Sequence, residues 1–168
     1  MAEFEKAFDR TVKLEGGYEL SHVTNDKGGQ TYAGIARKFH PDWAGWKAVD
    51  VGEVPDTESV REFYKKEFWD VLQASELTDQ LTADTVYDFA VNASPKMAVK
   101  LAQLVVGASA DGVMGPKTIA ALNGYDAQMF QLQYALAKVQ RYVQICTKDK
   151  SQRMFLLGWL NRTLKGLA

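Results

Sequence analysis

Residues 14–35 read Leu14-Glu15-Gly16-Gly17-Tyr18-Glu19-Leu20-Ser21-His22-Val23-Thr24-Asn25-Asp26-Lys27-Gly28-Gly29-Gln30-Thr31-Tyr32-Ala33-Gly34-Ile35. From Tyr18 to Ala33 this stretch is polar and rich in turn formers. Tyr18 to Thr24 reads as a short strand, Asn25-Asp26-Lys27-Gly28-Gly29 as a turn, and Gln30 to Ala33 as the returning strand. Upstream, Phe4, Ala7, Phe8, Thr11 and Val12 fall on one face of a helix over Glu3 to Leu14. Gly16-Gly17 should end that helix, because glycine accepts the left-handed turn of a C-cap. Downstream, Ile35 to Phe39 reads as a short helix that Pro41 ends.

From Thr57 the pattern is almost wholly helical. Asp56 or Thr57 caps a helix that turns Val60, Phe63, Tyr64, Phe68 and Val71 inward. Leu81 to Val91 and Pro95 to Val106 follow. Gly115-Pro116 opens another helix. Asp126 caps Ala127 to Thr147, and Asp149 or Ser151 caps a last helix to about Leu164. The fold class is therefore mainly α: a helical bundle with a small β-hairpin lobe at about 18–33. A cleft between hairpin and bundle is the expected ligand site.

The chain has 168 residues, 46% hydrophobic and 24% charged. That length suits one domain over 1–168 with an ordinary core. The net charge is -1, which makes no case for nucleic-acid binding. The average conceals an asymmetry: residues 1–133 carry -7 and residues 134–168 carry +6. One cysteine, Cys146, and two histidines, His22 and His40, form neither a disulfide nor a zinc set. No metal or organic cofactor is implied. The opening MAEFEKAFDR has no apolar core of a Sec-type signal peptide.

Chemistry concentrates in the opening stretch. Glu15 falls at the C-terminal end of the first helix, where the helix dipole disfavours a negative charge. Burial in a cleft would add to that and suit a general acid. Asp26 sits in a polar glycine-rich turn that favours its ionised form. Two carboxylates in opposite environments are the pattern of glycoside hydrolysis. The hydroxyl of Thr31 could orient a water beside Asp26. Tyr18, Tyr32 and Tyr87 are candidates to stack on sugar rings, the first two flanking the acid and the hairpin.

Glu15-Gly16-Gly17-Tyr18, then Asp26-Lys27-Gly28-Gly29-Gln30-Thr31 and Gly34-Ile35, resemble the signature of glycoside hydrolase family 108. The resemblance continues in Asp88-Phe89-Ala90-Val91-Asn92, in Asp111-Gly112-Val113-Met114-Gly115-Pro116-Lys117-Thr118 and in Gly158-Trp159-Leu160-Asn161-Arg162. It implies a lysozyme-like α+β fold and a muramidase, bacterial or from a phage endolysin. Such an enzyme cleaves the β-1,4 bond between N-acetylmuramic acid and N-acetylglucosamine. It also implies Glu15 as the catalytic glutamate. The order Glu15, Asp26, Thr31 is similar to the Glu, Asp, Thr triad of phage-type lysozymes, at intervals that differ by a few residues. Where the family has Asn-x-Gly, this chain has Asn92-Ala93-Ser94-Pro95. Asn92 either meets a sugar acetamido group or simply ends its helix.

The helical part at about 94–168 resembles a peptidoglycan-binding region. The physical reading of Asp111 to Thr118 is a turn before a proline-started helix, not a separate module. Lys138, Arg141, Lys148, Lys150, Arg153, Arg162 and Lys165 lie among apolar residues of the last two helices. They read either as the outer face of packed helices or as a surface for anionic wall polymer or lipid. The expected partner is the peptidoglycan glycan strand, met by a monomer made in the cytoplasm and acting on the wall after release. A lytic transglycosylase or a non-catalytic wall binder are the rival readings.

Overall fold

The computed structural model describes residues 1–22 and 30–167. Two compact units divide the chain: Glu3–Val71 forms one, and Met1–Ala2 with the chain from Leu72 forms the other. Asp26 and the expected Asn25 to Gly29 turn lie outside the described residues.

In the first unit, helix α1 (Phe4–Leu14) buries Phe4, Ala7, Phe8, Thr11 and Val12 along one face. The helix stops at the glycine pair. Gly16 and Gly17 have φ of 93° and 75°, and the Gly17 N–H donates to the Val12 carbonyl at 2.9 Å. That bond satisfies a carbonyl which the helix end would otherwise leave open.

Three short strands follow: β1 (Leu20–His22), β2 (Gln30–Tyr32) and β3 (Ile35–Ala36). They form an antiparallel sheet in sequence order, with Thr31 opposite Ser21 on one side and Ala36 on the other. The helix expected at Ile35 to Phe39 is corrected here. Tyr32 pairs with Ile35 across a two-residue turn, so Ile35 continues the sheet and is buried by it.

Helix α2 (Trp46–Asp50) was not foreseen; it buries Trp46 against Trp43, edge to face at 5.1 Å. Helix α3 (Thr57–Tyr64) begins at Asp56, whose side chain accepts from the Ser59 N–H. It runs on into a π-helical turn, Lys65–Trp69, in which the Asp70 N–H reaches back five residues to the Lys65 carbonyl at 2.8 Å. The wider turn shifts the helical phase. Trp69 and Leu72 become buried, and Val71, expected to face inward, is 54% exposed. The unit's core is aromatic: Tyr64 meets Phe8, Phe63 and Phe68 at 5.8, 5.5 and 5.8 Å between centroids. Such pairs each add about 0.5–1.5 kcal/mol beyond their buried area.

In the second unit, the Ala2 N–H binds the Leu77 carbonyl at 2.8 Å. Helices α4 (Gln80–Asn92), α5 (Pro95–Val105), α6 (Pro116–Asn123) and α7 (Ala127–Lys148) follow a 3-10 turn at Ala74–Glu76. Asp79, Ser94 and Asp126 cap α4, α5 and α7 by accepting from N–H groups three residues on. Pro95 and Pro116 occupy first-turn positions, where a missing N–H costs nothing. Asp149 caps a 3-10 turn, Lys150–Phe155, and α8 (Leu156–Lys165) follows it. Phe89, Phe130 and Tyr134 form the aromatic core, and Cys146 is buried further along α7.

Candidate active site

Glu15 is the residue on which α1 closes. Its N–H still donates to Thr11 at 2.9 Å, while the left-handed Gly16 and Gly17 turn the chain away toward the sheet. The half-buried side chain of Glu15 stands at the helix end. Its stem meets the turn between β2 and β3. A Cβ placed on Gly34 would come within 2.9 Å of the Glu15 Cβ and 3.1 Å of its Cγ. The same atom would lie 2.5 Å from the Tyr64 hydroxyl oxygen. Gly34 has φ of 79°, so this position demands glycine twice over, by conformation and by space.

Thr31 is half-buried in the central strand, and its carbonyl accepts from the Ser21 hydroxyl at 3.5 Å. The structure therefore places Glu15 and Thr31 in the same unit, on a helix end and on the adjoining sheet. Asp26, between them in sequence, is outside the described residues.

The aromatic candidates divide. Tyr18 is 41% exposed, just beyond the glycine pair. Tyr32 is not available for a sugar: it is buried, stacked on Trp43 at 5.9 Å, and donates to the Pro55 carbonyl at 3.4 Å. Tyr87 is also corrected, because its side chain is fully buried in α4 and fills the core. Asn92 is the half-buried last residue of α4. A hollow of about 410 Å³ lies beside Trp43, Phe63, Glu62 and Glu67, and none of the described candidate residues lines it.

The basic set also divides. Lys148, Lys150, Arg153 and Lys165 are exposed and Arg141 is half-buried. Lys138 is not on that face. It is buried, its ammonium 5.7 Å from the Phe89 centroid and 5.4 Å from that of Tyr134. Burial lowers its proton affinity below the usual lysine range, with Asp88 opposing and Arg162 reinforcing that shift. Its sequence signal was legible in retrospect: Lys138 stands four residues from both Tyr134 and Tyr142, on the inward stripe of α7. Arg162 is likewise occupied, by Asp88.

Asp111 to Thr118 forms a turn knitted to α5. The buried Gln103 amide donates to Asp111, Val113 and Thr118, and its oxygen accepts from the Gly112 N–H. Among the described residues, no three His, Cys, Asp or Glu side chains are grouped so as to hold a metal ion. No described helix is long and apolar enough to cross a membrane.

These features define a class: a mainly α, lysozyme-like protein whose first helix ends on a glutamate set against a small antiparallel sheet. Residues 8–93 match the family model described as Glycosyl hydrolase 108, and the chain belongs to that family. Residues 97–164 match a second model, described as a Predicted Peptidoglycan domain. Among solved structures, that titled "Structure of Brucella abortus SagA" is 24% identical, with a TM-score of 0.67. The match covers 98% of this chain and 95% of that one, a likeness of fold. No curated protein matches the chain at a significant level. The chain is thus a glycoside hydrolase of the lysozyme-like kind, directed at peptidoglycan.

Proposed function

We propose that the chain is a muramidase that hydrolyses the β-1,4 bond between N-acetylmuramic acid and N-acetylglucosamine, with Glu15 as general acid. The observation that supports this reading most is the placement of Glu15. It ends α1 at two left-handed glycines, with its stem against the Ala33–Gly34 turn. A carboxyl group there protonates the leaving-group oxygen as the glycosidic bond breaks. The anomeric carbon then carries positive charge. Asp26 stabilises that charge, or serves as base on a water that Thr31 holds. Tyr18 offers a ring face to a sugar, and Asn92 a partner for an acetamido group.

The exposed cations Lys148, Lys150, Arg153 and Lys165, with the half-buried Arg141, draw the chain to anionic wall polymer or lipid. As a phage or prophage endolysin, the protein is made in the cytoplasm and reaches the wall after release, acting as a monomer. Lysis of isolated cell walls tests the reading. Glu15→Gln, folded as judged by circular dichroism, loses at least about a hundredfold in rate. Wall lysis by Glu15→Gln as fast as by the wild type would make the chain a wall binder of lysozyme shape.

A further inference from the structure

We infer that Tyr64 is a positioning residue for Glu15: its hydroxyl holds the β2–β3 turn in the strained shape that braces the glutamate. This rests on the reading of Glu15 as the acid.

The turn is a two-residue hairpin loop, Ala33–Gly34, between the paired Tyr32 and Ile35. Loops of this length match the twist of the strands only as mirror-image turns, and the type with both central residues at positive φ selects Asn, Asp or Gly. Here φ is 47° at Ala33 and 79° at Gly34. Glycine reaches that region freely, whereas the Cβ of alanine opposes it. Nothing in the side chain of Ala33 compensates. A long-range bond does: the Tyr64 hydroxyl donates to the Ala33 carbonyl at 2.8 Å, in a buried setting. The Tyr64 ring is itself fixed by Phe8, Phe63 and Phe68, so its hydroxyl has one place to be.

The turn so held presses on the candidate acid. The Gly34 Cα leaves no room for even a methyl group between the Glu15 stem and the Tyr64 oxygen. One face of Glu15 is therefore closed by a turn whose conformation Tyr64 maintains. Backbone strain kept in place by surrounding contacts, beside the reacting group, is a means of pre-organising that group. Loss of the hydroxyl frees Ala33 to relax toward negative φ. The turn then withdraws, and the Glu15 carboxyl loses its fixed aim at the leaving-group oxygen.

The test measures kcat and KM on soluble peptidoglycan fragments, well below each variant's melting temperature. Tyr64→Phe keeps the ring and removes the hydroxyl. Its kcat falls about tenfold while KM stays within about twofold, the signature of lost alignment rather than lost binding. Adding Ala33→Gly to Tyr64→Phe restores most of kcat, because glycine takes the positive φ without a clamp. A merely structural Tyr64 predicts a lower melting temperature with kcat unchanged, and that result would overturn the inference. If Tyr64→Phe does not fold, Gly34→Ala decides. It retains the hydroxyl but drives a methyl group into Glu15 and Tyr64, so kcat falls at least as far; an unchanged kcat overturns the inference. Glu15→Gln is run in parallel. An active Glu15→Gln defeats the reading of Glu15 and this inference with it. An inactive Glu15→Gln beside a fully active Tyr64→Phe defeats this inference alone.

Discussion

Arg162 in α8 forks onto Asp88 in α4: its Nη2 donates to one carboxylate oxygen at 2.8 Å, and its Nε reaches both oxygens, at 3.1 and 3.3 Å. The two side chains are 19% and 24% exposed. A charge-assisted fork in such a site ties the last helix to the middle of its unit across 74 positions of sequence. Arg162→Leu lowers the unfolding free energy by about 2 kcal/mol, read from urea denaturation. Asp88→Asn with Arg162→Leu costs less than the sum of the two single changes. Additive losses would show that the pair is not coupled.

Lys138 lies near the same carboxylate but under different physics. Burial disfavours its charged form, so the unfolded chain binds that proton more tightly than the folded one. Stability attributable to Lys138 is therefore lowest at acid and neutral pH. It recovers as pH climbs toward the ordinary lysine value of about 10.4. Lys138→Met, which keeps the stem over Phe89 and Tyr134, is as stable as the wild type at pH 7 to within about 1 kcal/mol, or more so. It also lacks the rise that the wild type shows as pH climbs toward about 10.4. Thermal melts across that range check both points. A loss of about 3 kcal/mol at neutral pH would mean that the attraction of Asp88 and the rings outweighs the burial cost.

The legible parts of the fold were those decided by local chemistry. Gly16-Gly17 end α1, and Asp56, Asp126 and Asp149 cap helices, because each acts within three residues of itself. Glu15 could be placed at a helix end for the same reason, and Thr31 on a returning strand. What long-range packing decides was not legible. Ile35 has a helical-looking neighbourhood, yet its pairing with Tyr32 makes it strand. A single π turn moves Val71 outward and Trp69 inward, and no periodic pattern anticipates an inserted residue. Tyr32 and Tyr87 flank motif residues, but a tyrosine suits a core as well as a sugar, and burial took both. In the sequence Tyr64 reads only as core, since its bond is to a carbonyl 31 residues away.

Gln103 is 1% exposed and bonds four groups of the 111–118 turn. Gln103→Met strands those partners and costs roughly 2–3 kcal/mol, visible as a lower urea midpoint with an unchanged slope. The N–H of Val113 and the Gln103 amide hold the Asp111 carboxyl below its usual range. A depressed carboxylate contributes stability above its unfolded value of about 3.9 and loses it as pH falls through the lower folded value. Asp111→Asn therefore flattens part of the acid limb of the stability curve. An unchanged limb would remove Asp111 from the acid response.

The exposed cations of the last two helices make a salt-dependent claim. Changing Lys148, Lys150, Arg153 and Lys165 together to Gln weakens sedimentation with purified cell walls at low ionic strength. The difference from the wild type closes as salt screens the charges, over a Debye length of about 10 Å at 0.1 M. The melting temperature stays unchanged, because these side chains are exposed. Equal binding by variant and wild type at low salt would mean that the charges are only the outer face of packed helices.

The central claim is hydrolysis of the muramic bond with Glu15 as the acid, and mass spectrometry of digested peptidoglycan tests it most directly. The wild type is predicted to release fragments ending in reducing N-acetylmuramic acid, and folded Glu15→Gln to release none. Fragments ending in 1,6-anhydro-muramic acid would contradict hydrolysis, and reducing fragments from Glu15→Gln would contradict the role of Glu15.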